Sequence, residues 1–311
     1  MVCVIGEALI DLVLAAPAVD DSGTDGYLAH PGGSPYNVAI GLARLGQPAR
    51  LVARLSADAF GRQLRAHAEA NQVDLSLAVN AAEPSTLAVV NLDAQRNATY
   101  DFYRTGTADW QWTAAELGRI PADAGWVHTG SLASWTEPGA DLIEARLAEL
   151  EPSCLISYDP NIRPALLADR ASAVARVERL VGLSDVVKVS AEDLDWLYPG
   201  RTIPQLLTDW RERGPALVVV TDGGRGAYLL AGDEPDRLPA APVAIVDTVG
   251  AGDAFMAGLI NALARDRVLE AGSLTRDAAR AAVAEAGLVA ALTCTRAGAN
   301  PPTALELAAA R

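Results

Sequence analysis

Short apolar runs alternating with amphipathic stretches limit what this chain can become. "VCVIGEALIDLV" reads as a strand, and "SPYNVAIGLARLG" as a helix with Ser34 as its cap, Pro35 in its first turn and Gly46 at its stop. "ARLVARLS" returns as a strand and "DAFGRQLRAHAEANQ" as a helix. Strands at "GWVHTGSL", "CLISYDP", "DVVKVS" and "ALVVVTDG" are separated by helices at "GADLIEARLAELEP", "ASAVARVERLVGL" and "IPQLLTDWRERG". Strands apolar on both faces belong in a sheet that helices cover on both sides. The expected fold is therefore α/β, a doubly wound, mainly parallel central sheet in a single domain over residues 1–311. Segments 12–33 and 86–112 break the alternation. The stretch "TLAVVNLDAQRNATYDFYR" reads as a hairpin turning near Asp93 to Asn97, so a small β-sheet lid over the strand C-termini is expected, where such sheets bind ligands.

Charge and composition exclude several functions. A net charge of −14 makes a nucleic-acid backbone a poor partner, so an anionic substrate needs locally placed cations, Mg²⁺ or helix N-termini. The three cysteines and three histidines are scattered without metal-ligand or disulfide spacing. The start "MVCVIGEALIDLVL" lacks a basic region and carries Glu7 and Asp11, so it reads as a strand and not as a signal peptide. No run approaches the roughly 20 apolar residues of a membrane span. A cytoplasmic protein is expected.

The chemistry collects where strands end. In "DTVGAGDAFMAGLI", Asp253 follows Gly250, Ala251 and Gly252 at the start of a helix. One reading is an ordinary helix cap. The other is that the glycine step bares backbone N–H groups to an anion, with Asp253 beside it as a base. "HPGGSPYNVA" places Gly32 and Gly33 before a helix and Asn37 one turn inside it, either a turn with a surface Asn or a place where a polyol meets backbone and amide. Asp11, at the end of the first strand, can accept two vicinal hydroxyls, or simply face solvent. Asp159, Asn161 and Arg163 in "YDPNIRP" fall on the same sheet edge. "VTDGGRGAYLL" reads as a tight hairpin turn. A Walker P-loop is absent, and so is the dinucleotide fingerprint after the first strand.

Together, "GEALIDL", "PGGSPYNVAIGLARLG", "YDPNIRP", "VKVSAEDLDWLYP", "DTVGAGDAF" and "CTRAGANPP" resemble the ribokinase-like, or PfkB, carbohydrate kinases, most closely the bacterial fructokinases, nearly end to end. The resemblance implies MgATP as phosphoryl donor and a sugar or sugar acid as acceptor. It implies Asp253 as base, Gly250 to Gly252 as anion hole, and Asp11, Gly32, Gly33, Asn37, Phe102, Arg104 and Arg163 around the acceptor. It further implies nucleotide contacts at Lys188, Ser190, Asp193, Thr221, Gly223, Gly226 and Gly287. An activating K⁺ is implied at Asp247, Val249, Thr293, Arg296 and Gly298, mostly through backbone carbonyls, and a homodimer through the lid. The chain departs from the family at three points. Ser190-Ala191-Glu192-Asp193 replaces N-x-x-E, with Asp193 expected to do the Glu's work through water; T-D-G-G-R-G replaces T-L-G-x-x-G; and Gly287 stands where many relatives carry Asn. Fructose is the leading acceptor, with 2-keto-3-deoxygluconate and a nucleoside as rivals. A silent sugar sensor and a dinucleotide-dependent oxidoreductase are the readings from other classes.

Overall fold

The computed structural model describes residues 1–14, 26–92, 98–151, 153–269 and 274–311. Among them run fourteen strands: β1 (Val2–Ile5), β2 (Leu9–Leu14), β3 (Tyr27–Gly32), β4 (Ala49–Val52), β5 (Arg54–Ser56), β6 (Val79–Ala81), β7 (Leu87–Leu92), β8 (Ala98–Tyr103), β9 (Trp126–Gly130), β10 (Leu155–Asp159), β11 (Val186–Ser190), β12 (Leu217–Thr221), β13 (Ala227–Leu230) and β14 (Asp236–Leu238). The α-helices are α1 (Ser34–Arg44), α2 (Ala59–Ala70), α3 (Ala114–Leu117), α4 (Gly139–Leu150), α5 (Arg170–Gly182), α6 (Ala191–Leu197), α7 (Ile203–Arg211), α8 (Ala251–Asp266), α9 (Arg276–Cys294) and α10 (Ala304–Ala310).

The central sheet has the order β14-β13-β12-β11-β10-β9-β1-β4. It is parallel from β4 to β12 and ends in the antiparallel pairs β12–β13 and β13–β14. Alternate residues feed opposite faces. Val2 and Val4 join Phe255, Met256 and Leu259 of α8 and Val283 and Val289 of α9. Cys3 and Ile5 join Leu147 of α4, Val177 of α5 and Leu207 of α7. That two-sided burial is why these strands are apolar throughout, and each fully buried Val, Leu or Ile contributes roughly 1.5–3 kcal/mol. This is the doubly wound α/β fold that the alternation predicts. The turn between β12 and β13, through Gly223 to Arg225, is the expected hairpin.

Four strands, in the order β3-β2-β7-β8, form a separate sheet from the two segments that break the alternation. The residues 15–25 and the expected turn at 93–97 lie outside the described residues. Two strand readings are corrected. "VCVIGEALIDLV" is β1 and β2, which belong to different sheets, so Asp11 lies mid-strand opposite His30 and Ala88, not at the end of the first strand. "ARLVARLS" likewise divides at Ala53 into β4 and β5, and β5 pairs with β6. No helix among the described residues is long and apolar enough to cross a membrane.

Candidate active site

A cavity of about 460 Å³ opens at the C-terminal edge of the central sheet, between that edge and the small sheet. The segments following β1, β9, β10 and β11 supply Glu7, Ser131, Asn161, Arg163 and Glu192. The small sheet supplies Leu9, Asp11 and Phe102, and α1 and α8 supply Asn37 and the run Gly250 to Asp253.

Asp253 does not cap its helix. Gly250 is the N-cap, at φ 73°, and Asp253 is the third helical residue, with no side-chain bond to the helix start. Its carboxylate instead accepts Ser34 Oγ at 2.7 Å and Asn37 Nδ2 at 2.8 Å. Ser34 and Asn37 lie three apart on α1, so one helix face presents both donors. This corrects the reading of Ser34 as a cap: Gly33 holds that position, without a side-chain bond. Gly250 is glycine for two reasons. Its left-handed φ suits no branched residue, and an added Cβ would stand 2.6 Å from the Cβ of Ala299. Of the first-turn N–H groups of α8, that of Ala251 donates to the Thr248 carbonyl at 3.2 Å, while those of Gly252 and Asp253 have no acceptor further back in the helix and are available to an anion.

Burial lifts the Asp253 carboxyl to about 6, against the lowering effect of its Asn37 and Ser34 bonds. Asp11 is lifted to about 6, by burial first and then by the Asp253 charge, with Arg163 opposing. Its carboxylate accepts no hydrogen bond among the described residues, which leaves it free for a ligand. Gly32 makes room for it, since a Cβ there would meet Asp11 Oδ2 at 2.2 Å. Glu7, lifted by burial to about 7, accepts from the backbone N–H groups of Ser34 and Ala133 and so ties α1 to the end of β9. The buried Lys188 donates to Asp159 Oδ2 at 2.7 Å. Arg163 turns onto its own loop, donating through Nη1 to Asn161 Oδ1 at 2.7 Å and to the Ile162 carbonyl at 3.0 Å.

Of the residues singled out in the sequence, Asp11, Gly33, Asn37, Phe102, Arg163, Lys188, Val249 and Gly250 to Asp253 border this one cavity. Others do not. Ser190 and Asp193 form the capping box of α6, and Asp193 also accepts from the Ile162 N–H, so both its oxygens are engaged. Glu192, which sequence reasoning passed over, is the carboxylate at the cavity border. Thr221, Gly223 and Gly226 sit on the β12–β13 turn, Gly287 in the middle of α9, and Arg104 just beyond β8. Thr293 is buried with its hydroxyl on the Val289 carbonyl, and Arg296 pairs with Glu306. Asp247 joins two loops: its carboxylate accepts from the Val249 N–H at 3.0 Å and the Gly298 N–H at 2.8 Å. Sequence reasoning also missed Glu7, Ser131, Leu132 and Thr248. For Glu7 a signal existed, a carboxylate inside an apolar run; Ser131 and Leu132 follow a strand end, where the sheet-edge rule points.

The fold and this site together define a small-molecule kinase of the ribokinase-like class, a phosphotransferase. The chain belongs to the pfkB family of carbohydrate kinases, whose family model matches residues 1–305. It is 38% identical over 269 residues to a fructokinase of Rhizobium leguminosarum bv. trifolii, covering 86% of this chain and 81% of that protein. The fructokinase of Xylella fastidiosa with bound ATP superposes with a TM-score of 0.89 at 25% identity, covering 99% of this chain and 97% of that one. The fructokinase of Vibrio cholerae O395 in its fructose, ADP and calcium-bound form superposes at 0.85 with 30% identity, over 99% and 97%.

Proposed function

We propose that this carbohydrate kinase transfers the γ-phosphoryl group of MgATP to a primary hydroxyl of fructose. The observation that carries this reading is Asp253, fixed by Ser34 and Asn37 beside the glycine step and in the same cavity as the open carboxylate of Asp11. Asp11 holds sugar hydroxyls, Asp253 takes the proton of the attacking hydroxyl, and the start of α8 receives phosphate oxygens. Such catalysis is mostly positioning and electrostatics. No trio of His, Cys, Asp and Glu among the described residues forms a metal cage. Mg²⁺ would be held by the nucleotide phosphates and Glu192, which borders the cavity, and would neutralise phosphate charge.

A neutral acceptor fits better than a sugar acid. Among the described residues, Glu7, Asp11, Glu192 and Asp253 border the cavity against Lys188 and Arg163, and Arg163 is already drawn onto its own loop. An ADP-release assay with fructose, ribose, 2-keto-3-deoxygluconate and adenosine tests the acceptor. Turnover of 2-keto-3-deoxygluconate at least tenfold above fructose would reverse the assignment; that gap is only about 1.4 kcal/mol.

The elevated carboxyls give a pH signature. A base must be ionised to accept a proton, so kcat/KM is expected to fall below pH about 6. Asp11 must also be ionised to act as a charged acceptor, and it too is lifted to about 6, so the limb is steeper than one proton and Asp11→Asn returns it to one. A wild-type limb near pH 4 would contradict this.

K⁺ activation belongs to the same proposal. Its support is that Asp247 joins the loop before α8 to the loop after α9, where the N–H groups of Val246 and Asp247 also donate to the Cys294 carbonyl. Backbone carbonyls of Val249, Thr293, Arg296 and Gly298 would complete the ion's shell. At equal ionic strength, K⁺ is expected to raise kcat over Na⁺; equal rates would remove the ion and leave the kinase reading standing. The homodimer through the small sheet draws support from the exposed Leu14, Tyr27, Leu28 and Tyr103, and sedimentation tests it.

A further inference from the structure

Glu7 is a cavity-wall residue only 1% exposed, and its two carboxyl oxygens are gripped by neutral donors. Oε1 accepts from the Ser34 N–H at 3.3 Å and Oε2 from the Ala133 N–H at 3.1 Å. Ser34 opens α1, so its N–H has no partner inside the helix, and Gly33 at the N-cap brings no side chain. Capping alone does not call for a carboxylate drawn so far out of water, since a short neutral side chain at the cap position serves a helix as well. The position of Ser34 supplies a further reason. Glu7 holds this residue by its backbone, and its hydroxyl donates to Asp253 Oδ1 at 2.7 Å. Gly33 makes the close approach possible: a Cβ there would stand 2.6 Å from the Glu7 carbonyl oxygen and 3.3 Å from its Cγ. The far side of the clamp is equally built. Ala133 lies in the turn Ser131–Ser134 that follows β9. Ser131 at φ 53° and Asn161 at φ 43° border the cavity in left-handed backbone that few residues other than glycine adopt. Asn161 Nδ2 donates to Ser131 Oγ at 3.4 Å, and strain of this kind collects at functional sites.

We propose that Glu7 is a positioning residue: by clamping the Ser34 backbone to the turn after β9, it keeps the Ser34 hydroxyl on Asp253 and so aims the base. This deepens the sugar-kinase reading and rests on it. Glu7 itself takes no proton from the acceptor. Its two oxygens serve two N–H groups at once, whereas a glutamine offers one oxygen and turns its NH₂ toward the other donor. That difference accounts for an acid at this place. If the clamp slackens, Ser34 shifts and Asp253 loses one of the two bonds that fix its plane. A reacting group misplaced by about 1 Å forfeits up to about 100-fold in rate, so a residue one step removed from the base can govern turnover.

The test is a double-mutant cycle of Glu7→Gln with Ser34→Ala, read by kcat and by KM for MgATP and for the sugar that wild type phosphorylates fastest. Each single variant is expected to lower kcat by about tenfold or more, with both KM values within about threefold of wild type. In the Ser34→Ala background, Glu7→Gln should lower kcat by no more than about threefold further, because the hydroxyl through which Glu7 acts is already gone. A merely structural Glu7 would lower activity by the same factor in both backgrounds, and that result overturns the proposal. So does kcat within threefold of wild type in either single variant, or a rise in the KM values as large as the fall in kcat. If Glu7→Gln does not fold, Glu7→Asp, which keeps the charge and draws it back by one methylene, takes its place in the cycle with the same expectation. Failure of both to fold makes Glu7 a residue of the fold and overturns its role in aiming the base. Wild-type protein that releases ADP with no sugar overturns the kinase reading and this inference with it. Wild-type turnover with an additive cycle overturns the role of Glu7 alone.

Discussion

Asp253→Asn is expected to lower kcat by roughly 10²–10⁴ while leaving the fold intact. The amide keeps the shape of the carboxylate and an oxygen for Asn37, and the Ser34 hydroxyl can turn to accept from the new NH₂ group. It cannot take a proton. Stability should not suffer at neutral pH, and the sign follows from linkage. The folded carboxyl titrates near 6, above its ordinary value, so the contribution of its protonated form is present in acid and lost as pH rises through 6. At pH 8 the ionised group costs the fold on the order of 3 kcal/mol, and Asn removes that cost. The variant should therefore melt no lower than wild type at pH 8 and be nearly inactive. Activity within threefold of wild type would sink the assignment of Asp253 as base.

Asp11→Ala should raise KM for fructose about 10- to 100-fold and leave KM for ATP within about twofold. Two sugar hydroxyls would lose a charged acceptor, each bond being worth roughly 1.5–3 kcal/mol, and water entering the gap offsets part of the loss. Gly32→Ala gives an independent route to the same result without touching the carboxylate. Its methyl would meet Asp11 Oδ2 at 2.2 Å, so the acid must swing away or the strands must part. Both variants should move the sugar constant and spare the nucleotide constant. Equal shifts in the two constants would count against Asp11 as a sugar ligand.

The sheet was legible because two-sided burial writes itself into continuous apolar runs, as in "VVKVS" and "LVVVT". The break between β1 and β2 was not, because both segments are rich in apolar strand-forming residues and only packing shows that they join different sheets. Gly6 is the one mark of that break: a Cβ there would meet Pro35 at 2.2 Å. Asp253 and the glycine step were readable from residue type and order. Ser34 was misread because serine before a helical run is a good cap wherever nothing better claims its hydroxyl, and the claimant lies on α8. Glu192 and Asp193 could not be ranked from sequence, since neighbouring helix positions differ in direction by about 100° and only the helix axis decides which faces the cavity.

The two side chains that hold the base stand 219 and 216 residues ahead of it in the chain, and Gly250 in turn rests on Ala299. Contacts this distant in sequence form late, because the loop they close must be ordered first. During synthesis Ser34 and Asn37 therefore emerge long before the carboxylate that they hold. A chain that ends ahead of α8 lacks both Asp253 and the glycine step, so the cavity is completed only when the last helices are made.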